Sequence, residues 1–181
     1  MSVLDSYKVD LLSSHLQGAT WEWLIGDSFF TAIDGVVKRG NIQTKVECVS
    51  AGSIFKFRIC STGMVIVPCD RCLEDLELRI ETKDEIAVKL GNEYSDDGDC
   101  VVVPETEGYI NLAQYIYEFI VLSMPITCTH EPGKCDEAMM RELSKHQAAR
   151  SSQEGDGDYD SKADDAPVDE RWSVLKNLIN N

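Results

Sequence analysis

The central part of the chain, residues 41–90, alternates between apolar and polar side chains. Phe55, Phe57 and Ile59 fall on one side of a strand, and Lys56 and Arg58 fall on the other. This period of two is typical of β-strands that place one face on a core. The alternation predicts strands at 41–50, 54–60, 64–67 and 76–81, with the last pattern continuing through 86–90, a turn or bulge at 61–63, and earlier strands at 7–11 and 20–25. We therefore expect successive antiparallel strands, arranged as a meander.

The spacing of apolar residues changes to that of a helix after residue 110. Leu112, Ile116 and Ile120 mark an apolar stripe at helical intervals. Asn111 and Gln114 have the spacing of a capping box, and a proline at position 125 ends the pattern. This predicts a long amphipathic helix over 111–123 whose stripe packs on the sheet. Shorter flanking helices are predicted at 27–34 and 137–150, so the fold class is α+β.

The C-terminal part of the chain has a different composition. Residues 151–170 contain eight acidic residues and one lysine, with few large apolar side chains. Such a segment buries too little surface to offset the entropy of ordering it. We expect an α+β domain over 1–148, a disordered acidic linker over 149–168, and an amphipathic C-terminal helix over 169–181. That helix, which carries Trp172, either docks on its own domain or grips a partner.

The formal net charge of −15 is unevenly distributed. Residues 35–73 contain six basic residues, among them Lys56, Arg58 and Arg71, and only two acidic ones. These cations either decorate the solvent face of the sheet or form a local surface that contacts RNA, because phosphate binding depends on Lys and Arg. The acidic remainder of the chain favours association with a basic partner.

Two groups of metal-ligating residues lie far apart in the sequence. Cys69 and Cys72 form a Cys-x-x-Cys between two predicted strands, and His130 and Cys135 follow the long helix. Together they would make a Cys₃His site, for which thiolate and imidazole ligands favour zinc. Four protein ligands leave no open position, so the metal would be structural. The alternatives are a vacant, reduced cysteine cluster, or a redox pair.

The redox interpretation requires the first cysteine to lie near a helix N-terminus. Here a strand pattern follows Cys72, and the nearby acidic residues Asp70, Glu74 and Asp75 disfavour a thiolate. The sequence contains no Gly-rich phosphate loop, no His-Glu-x-x-His and no Gly-x-Ser-x-Gly. We therefore expect that the protein is not an enzyme. It has no apolar run of 18 residues and no signal-peptide pattern, so we expect it in the cytoplasm.

Four features in order resemble the YceD family, the large ribosomal RNA subunit accumulation proteins. They are Cys-Asp-Arg-Cys-Leu-Glu at 69–74, Gly-Tyr-Ile-Asn-Leu at 108–112 followed by Tyr-Glu at 117–118, Leu-Ser-Met-Pro at 122–125 leading to His130 and Cys135, and Asp-Glu-Arg-Trp-Ser-Val-Leu-Lys at 169–176. Carried over by position, the cysteine pair of the family falls on Cys69 and Cys72, and its later His and Cys fall on His130 and Cys135. Cys128 stands where many members have an apolar residue.

The resemblance implies a cytosolic protein of bacterial type that acts in ribosome biogenesis and promotes accumulation or processing of large-subunit (23S) ribosomal RNA. In many bacteria the gene of the family lies beside that of a small, basic zinc-ribbon protein of the large subunit. Two hypotheses follow. The protein contacts ribosomal RNA or a pre-ribosomal particle through Lys56, Arg58 and Arg71. Alternatively, it is an acidic binding chaperone for the basic zinc-ribbon protein, and the Trp172 helix takes part in holding it.

Overall fold

The computed structural model describes residues 3–96 and 100–146. A short 3₁₀ helix, Val3–Tyr7, precedes ten further elements in chain order. These are β1 (Lys8–Asp10), β2 (Thr20–Ile25), α1 (Asp27–Ile33), β3 (Arg39–Ala51), β4 (Ile54–Pro68), β5 (Asp75–Gly91), β6 (Val101–Pro104), β7 (Tyr109–Asn111), α2 (Ala113–Leu122) and α3 (Glu137–His146). The α+β class is confirmed. The predicted linker, the C-terminal helix and Trp172 lie outside the described residues.

The main sheet has five strands in the order β2-β3-β4-β5-β6. Strands β2 to β5 pair antiparallel in sequence order, as a meander does. The expectation of an antiparallel sheet is wrong at β6, which pairs parallel to the end of β5, with Val88 opposite Val101. Side-chain periodicity does not report the direction of pairing. Strands β1 and β7 form a separate antiparallel pair.

Strand β4 is continuous over fifteen residues, so the predicted turn at 61–63 is wrong. Gly63, which suggested that turn, lies in register between Ile42 and Ile80 of the neighbouring strands. A Cβ atom at this position would come within 2.1 Å of the Asn41 carbonyl oxygen. Glycine is therefore used here for a close approach between two strands rather than for a change of direction.

One face of the sheet is buried beneath α1 and α2, and the other faces solvent. Phe57 and Ile59 are fully buried, as the alternation of β4 predicts, while Lys56 and Arg58 are exposed. The core continues into Phe29 and Phe30 of α1 and into Ile116 and Ile120 of α2, together with Ile25, Ile42, Val46, Val65, Ile80 and Leu112. None of the helices within the described residues has the length and apolar run that crossing a bilayer requires.

Helix α2 has ten residues, so it is shorter than the long helix predicted over 111–123. It begins at Ala113, and its N-cap residue, Leu112, makes no side-chain capping bond. The Asn111 Oδ1 atom accepts the Ala113 backbone N–H at 3.0 Å, which closes a turn before the helix starts. The apolar stripe is present nevertheless, since Leu112, Ile116 and Ile120 are fully buried.

Two polar features lie inside the apolar core. The Tyr117 hydroxyl accepts the Val36 backbone N–H at 2.7 Å, and a Cβ atom on Gly35 would come within 1.9 Å of the Tyr117 oxygen. In the sheet, the hydroxyls of Thr44 and Ser61 form a buried hydrogen bond of 2.9 Å. Thr82 continues that row on β5, and its buried hydroxyl has no hydrogen-bond partner among the described residues.

Candidate metal centre

The Cys-x-x-Cys occupies a tight turn that joins the two longest strands. Strand β4 ends at Pro68 and β5 begins at Asp75, which leaves residues 69–74 for the connection. The Cys69 N–H donates to the Glu74 carbonyl at 2.8 Å, and the Leu73 N–H donates to the Cys69 carbonyl at 2.9 Å. These bonds fold the turn so that Cys69 and Cys72 are both buried. No helix follows Cys72 within the turn, in agreement with the strand pattern.

Leu73 adopts a left-handed backbone conformation immediately after the second cysteine, with φ of 63°. Such a conformation costs a non-glycine residue about 1 kcal/mol or more, and glycine is the usual residue there. The Leu73 side chain is also 68% exposed. The turn therefore keeps its shape in spite of an unfavourable residue, because the surrounding hydrogen bonds determine the backbone.

The loop after α2 is fastened to this turn by Asp70. The Asp70 N–H donates to the Cys128 carbonyl at 2.7 Å, and the Cys128 N–H donates to the Asp70 carboxylate at 2.6 Å. This reciprocal pair brings residues separated by almost sixty positions into contact. Asp70 was not singled out from the sequence as a structural residue, because an acidic residue within a Cys-x-x-Cys turn gives no signal of its distant partner.

The fastening brings Cys69, Cys72, His130 and Cys135 together. One donor atom from each of the four residues can be chosen so that all lie within 4.8 Å of one another. The Cys72 sulfur lies 3.4 Å from His130 Nδ1. In a tetrahedral zinc site the donor atoms stand about 3.5–3.8 Å apart, from metal–ligand bonds of about 2.0–2.3 Å. The four residues could therefore hold a metal ion after only a small contraction.

The second nitrogen of His130 has a partner of its own. His130 Nε2 lies 3.1 Å from the Asp75 backbone carbonyl oxygen, at the start of β5. A carbonyl can only accept, so Nε2 carries the proton and Nδ1 faces the Cys72 sulfur. Histidines that bind metals are commonly oriented in this way by a second hydrogen bond. The orientation of the ring therefore fits Nδ1 as the ligand atom.

The protonation of the four groups is set by their mutual contacts. Burial alone would raise the pKa of the Cys69 thiol, but backbone N–H groups of Cys72, His130 and Arg71, with the Cys72 side chain, lower that pKa to about 6. The hydrogen bond to Cys72 raises the pKa of His130. Burial, followed by the hydrogen bonds to Cys69 and Cys72, raises the pKa of Cys135. The expectation that acidic neighbours disfavour a thiolate is therefore wrong for Cys69.

The other cysteines stand apart from this cluster. The buried Cys128 sulfur points to the Pro125 carbonyl oxygen at 3.5 Å, and burial raises the pKa of its thiol. Cys48 is fully buried in the core. Cys60 is half-buried and lies on the same side of β4 as Lys56 and Arg58.

Two of the three basic residues predicted to meet RNA are paired with a carboxylate. Lys56 Nζ and Arg58 Nε lie 3.1 and 3.2 Å from the carboxylate of Glu85 on the neighbouring strand β5. Arg39 is paired with Asp75 in the same manner. Arg71 lies exposed in the Cys-x-x-Cys turn, and no ion pair reaches it from the described residues. Trp172 lies outside them.

Comparison with known proteins places the chain in one family. The model of the family described as the large ribosomal RNA subunit accumulation protein YceD matches residues 58–179, about two thirds of the chain. The match begins in β4 and includes all four members of the metal-type cluster. Neither the curated proteins nor the solved structures include a match. On the strength of the family match, this chain belongs to the YceD family, whose name links it to the accumulation of large-subunit ribosomal RNA.

Proposed function

We propose that the protein is a non-enzymatic factor of ribosome biogenesis that promotes accumulation of 23S ribosomal RNA through binding. The observation that carries this proposal is the closed donor set of Cys69, Cys72, His130 and Cys135. A metal with four protein ligands has no position for a reacting water, so its role is structural. Zinc is the ion that fits three thiolates and one imidazole. It would tie the β4–β5 turn to the loop after α2 and so fix a recognition surface.

The family membership supports a site of action in the cytoplasm, where ribosomal subunits are assembled in bacteria. The proposal is tested by deleting the gene and measuring the ratio of 23S to 16S ribosomal RNA. We expect a lower ratio that returns to normal with the wild-type gene. The Cys69→Ser gene should not restore the ratio, provided that immunoblotting shows the variant protein at the wild-type level. A normal ratio in the deletion strain would refute the proposal.

Direct contact with RNA is one route to this function. It depends on Lys56, Arg58 and Arg71, and it predicts salt-sensitive binding that weakens when all three are replaced by alanine. The matched control is the triple replacement of Lys134, Arg141 and Lys145, which removes the same charge from another part of the chain. If the Lys56, Arg58 and Arg71 variant binds ribosomal RNA as tightly as the wild type does, this route is excluded. The Glu85→Gln variant should bind RNA more tightly, because it releases Lys56 and Arg58 from their ion pairs.

The second candidate function is that of an acidic binding chaperone for a basic ribosomal protein, for which the zinc-ribbon protein of the large subunit is the candidate. The ion pairs of Lys56 and Arg58 with Glu85 favour it over direct RNA binding, since they neutralise the cations that RNA would need. Complementary charge accelerates encounter and selects the partner. Affinity purification from native cells after ribonuclease treatment separates the two. If a basic ribosomal protein stays bound after the RNA is digested, the chaperone function is supported. If that protein is lost together with the RNA, the chaperone function is refuted.

A further inference from the structure

A second concave site lies away from the metal cluster, where α2 meets the segment around β6 and β7. Its cavity measures about 280 Å³. Three tyrosines and three carboxylates line it: Tyr94, Tyr109, Tyr115, Asp96, Glu107 and Glu118. We call it the tyrosine–carboxylate pocket. Pockets for small molecules usually measure about 300–1,000 Å³, so this one is of a size for a single side chain rather than for a cofactor.

Two carboxylates of the pocket accept hydrogen bonds from neighbouring side chains. The hydroxyls of Tyr94 and Tyr115 lie 3.5 and 3.3 Å from Asp96 Oδ2, to which they donate. Burial, followed by the neighbouring Tyr94 and Asp96, raises the pKa of Tyr115, so its hydroxyl stays protonated. The Gln114 amide donates to Glu118 at 2.9 Å. These contacts restrain two carboxylates, each of which keeps lone pairs that can accept from a ligand.

The three carboxylates of the pocket form no ion pair within the described residues. No ion pair reaches Asp96, Glu107 or Glu118 there, although ten basic side chains in the same part of the chain are paired with an acidic one. Like the carboxylates, the tyrosine rings attract a cation, because the face of an aromatic ring carries partial negative charge. Tyr109 already receives one within the chain, since Lys8 Nζ lies 5.1 Å from its ring centroid.

We propose that the tyrosine–carboxylate pocket binds the guanidinium group of an arginine presented by a basic polypeptide partner. A guanidinium is planar, stacks on aromatic rings and donates two parallel hydrogen bonds to a carboxylate. The ammonium group of lysine is a compact, strongly hydrated charge, so it stacks less well on the tyrosine rings. The proposal rests on the proposed function only for the identity of the partner, namely a basic protein of the large subunit. The chemistry of the pocket stands by itself.

The test uses the full chain, labelled with ¹⁵N and titrated by NMR with short blocked peptides. The probes are glycine–arginine–glycine, the same tripeptide with citrulline or lysine in place of arginine, and spermidine. We expect amide shifts for arginine centred on residues 94–96 and 107–118, with an affinity at least about tenfold above that for citrulline, which lacks the charge. Equal binding of citrulline, stronger binding of spermidine, or shifts centred elsewhere would each overturn the assignment.

Two variants separate the pocket from the general acidity of the chain. Replacing Asp96 by Asn and Glu118 by Gln removes two charges from the pocket, and replacing Glu77 and Glu81 by Gln removes two from the outer face of β5. We expect about tenfold weaker arginine binding in the first and less than a twofold change in the second. Equal losses in the two variants would show that only net charge matters and would overturn the proposal. Tyr94→Leu, at a residue that is 61% exposed, carries little risk to folding and should also weaken arginine binding, and unchanged binding would overturn the role assigned to this ring.

The result for the pocket can be distinguished from the result for the proposed function. If the 23S ratio of the deletion strain is normal but the arginine peptide binds as expected, the proposed function fails and the pocket remains. If the peptide does not bind while the ratio falls, the pocket assignment fails and the proposed function remains.

Discussion

Removal of the metal from the cluster is the perturbation that tests the site most directly. The Cys135→Ser variant takes away one of the four donors and leaves Cys69, Cys72 and His130 in place. The matched control is Cys100→Ser, which removes a half-buried thiol outside the cluster. The Cys100 thiol makes a hydrogen bond to the Val101 carbonyl oxygen, at 3.8 Å. Both variants replace a sulfur by an oxygen, and only Cys135→Ser removes a donor of the cluster.

The size of the effect follows from what else joins the turn to the loop. Without a metal, these segments are held by the two hydrogen bonds between Asp70 and Cys128 and by the contacts of His130 with the Cys72 sulfur and the Asp75 carbonyl. Hydrogen bonds of this kind each contribute about 0.5–1.5 kcal/mol. Free zinc at one hundred times its dissociation constant adds about 2.7 kcal/mol to the stability of the folded state. For a chain of this size that corresponds to about 5–11 °C in Tm.

The assay is thermal unfolding with and without a chelator, together with elemental analysis of the same samples. The wild type and Cys100→Ser should contain one zinc per chain and lose about 5–11 °C on chelation. Cys135→Ser should melt like the chelated wild type and respond little to the chelator. Substitution with cobalt should give thiolate-to-cobalt absorption in the wild type that is weaker in Cys135→Ser. The structural site would be refuted if protein purified without chelators contained no metal and its Tm did not change when a chelator was added.

The remaining predictions concern stability and are checked by chemical denaturation. Tyr117→Phe leaves a backbone N–H without its acceptor and should lower the free energy of unfolding by about 1–3 kcal/mol, whereas Tyr115→Phe removes only an exposed bond and should cost less than about 1 kcal/mol. Gly35→Ala should cost about 1–3 kcal/mol, because its Cβ would meet the Tyr117 hydroxyl at 1.9 Å. Thr44→Val should cost about 1–3 kcal/mol by depriving a buried serine of its partner, whereas Thr82→Val removes an unpartnered hydroxyl and should be neutral or stabilising. Equal costs within either matched pair would contradict these assignments.

The strands could be predicted from the sequence where one face is buried and the other is exposed to solvent. The alternation around Phe57 placed the core face of β4 correctly, and the same rule places Cys60 with the cations of the outer face. Side-chain periodicity carries no information on pairing partners, so the parallel contact of β6 was missed. Gly63 was taken for a turn because sequence alone does not show that another backbone passes 2.1 Å from its missing Cβ.

The candidate site was only partly accessible to sequence reasoning. Cysteine and histidine are few enough for their spacing to suggest a cluster, and the structure brings the four together. The residue that assembles the cluster, Asp70, could not be found in this way, because its partner lies 58 positions away. The low pKa of Cys69 depends on three backbone N–H groups, which exist only after the turn has folded. The tyrosine–carboxylate pocket combines residues from 94 to 118 that share no periodic pattern.

The chain from Tyr115 to Cys128 limits how far the tyrosine–carboxylate pocket can lie from the metal cluster. Seven residues of helix and six of extended chain span at most about 32 Å. An extended peptide of about ten residues covers that length, so a partner held at the pocket by one arginine needs no more than about ten further residues to reach the β4–β5 turn.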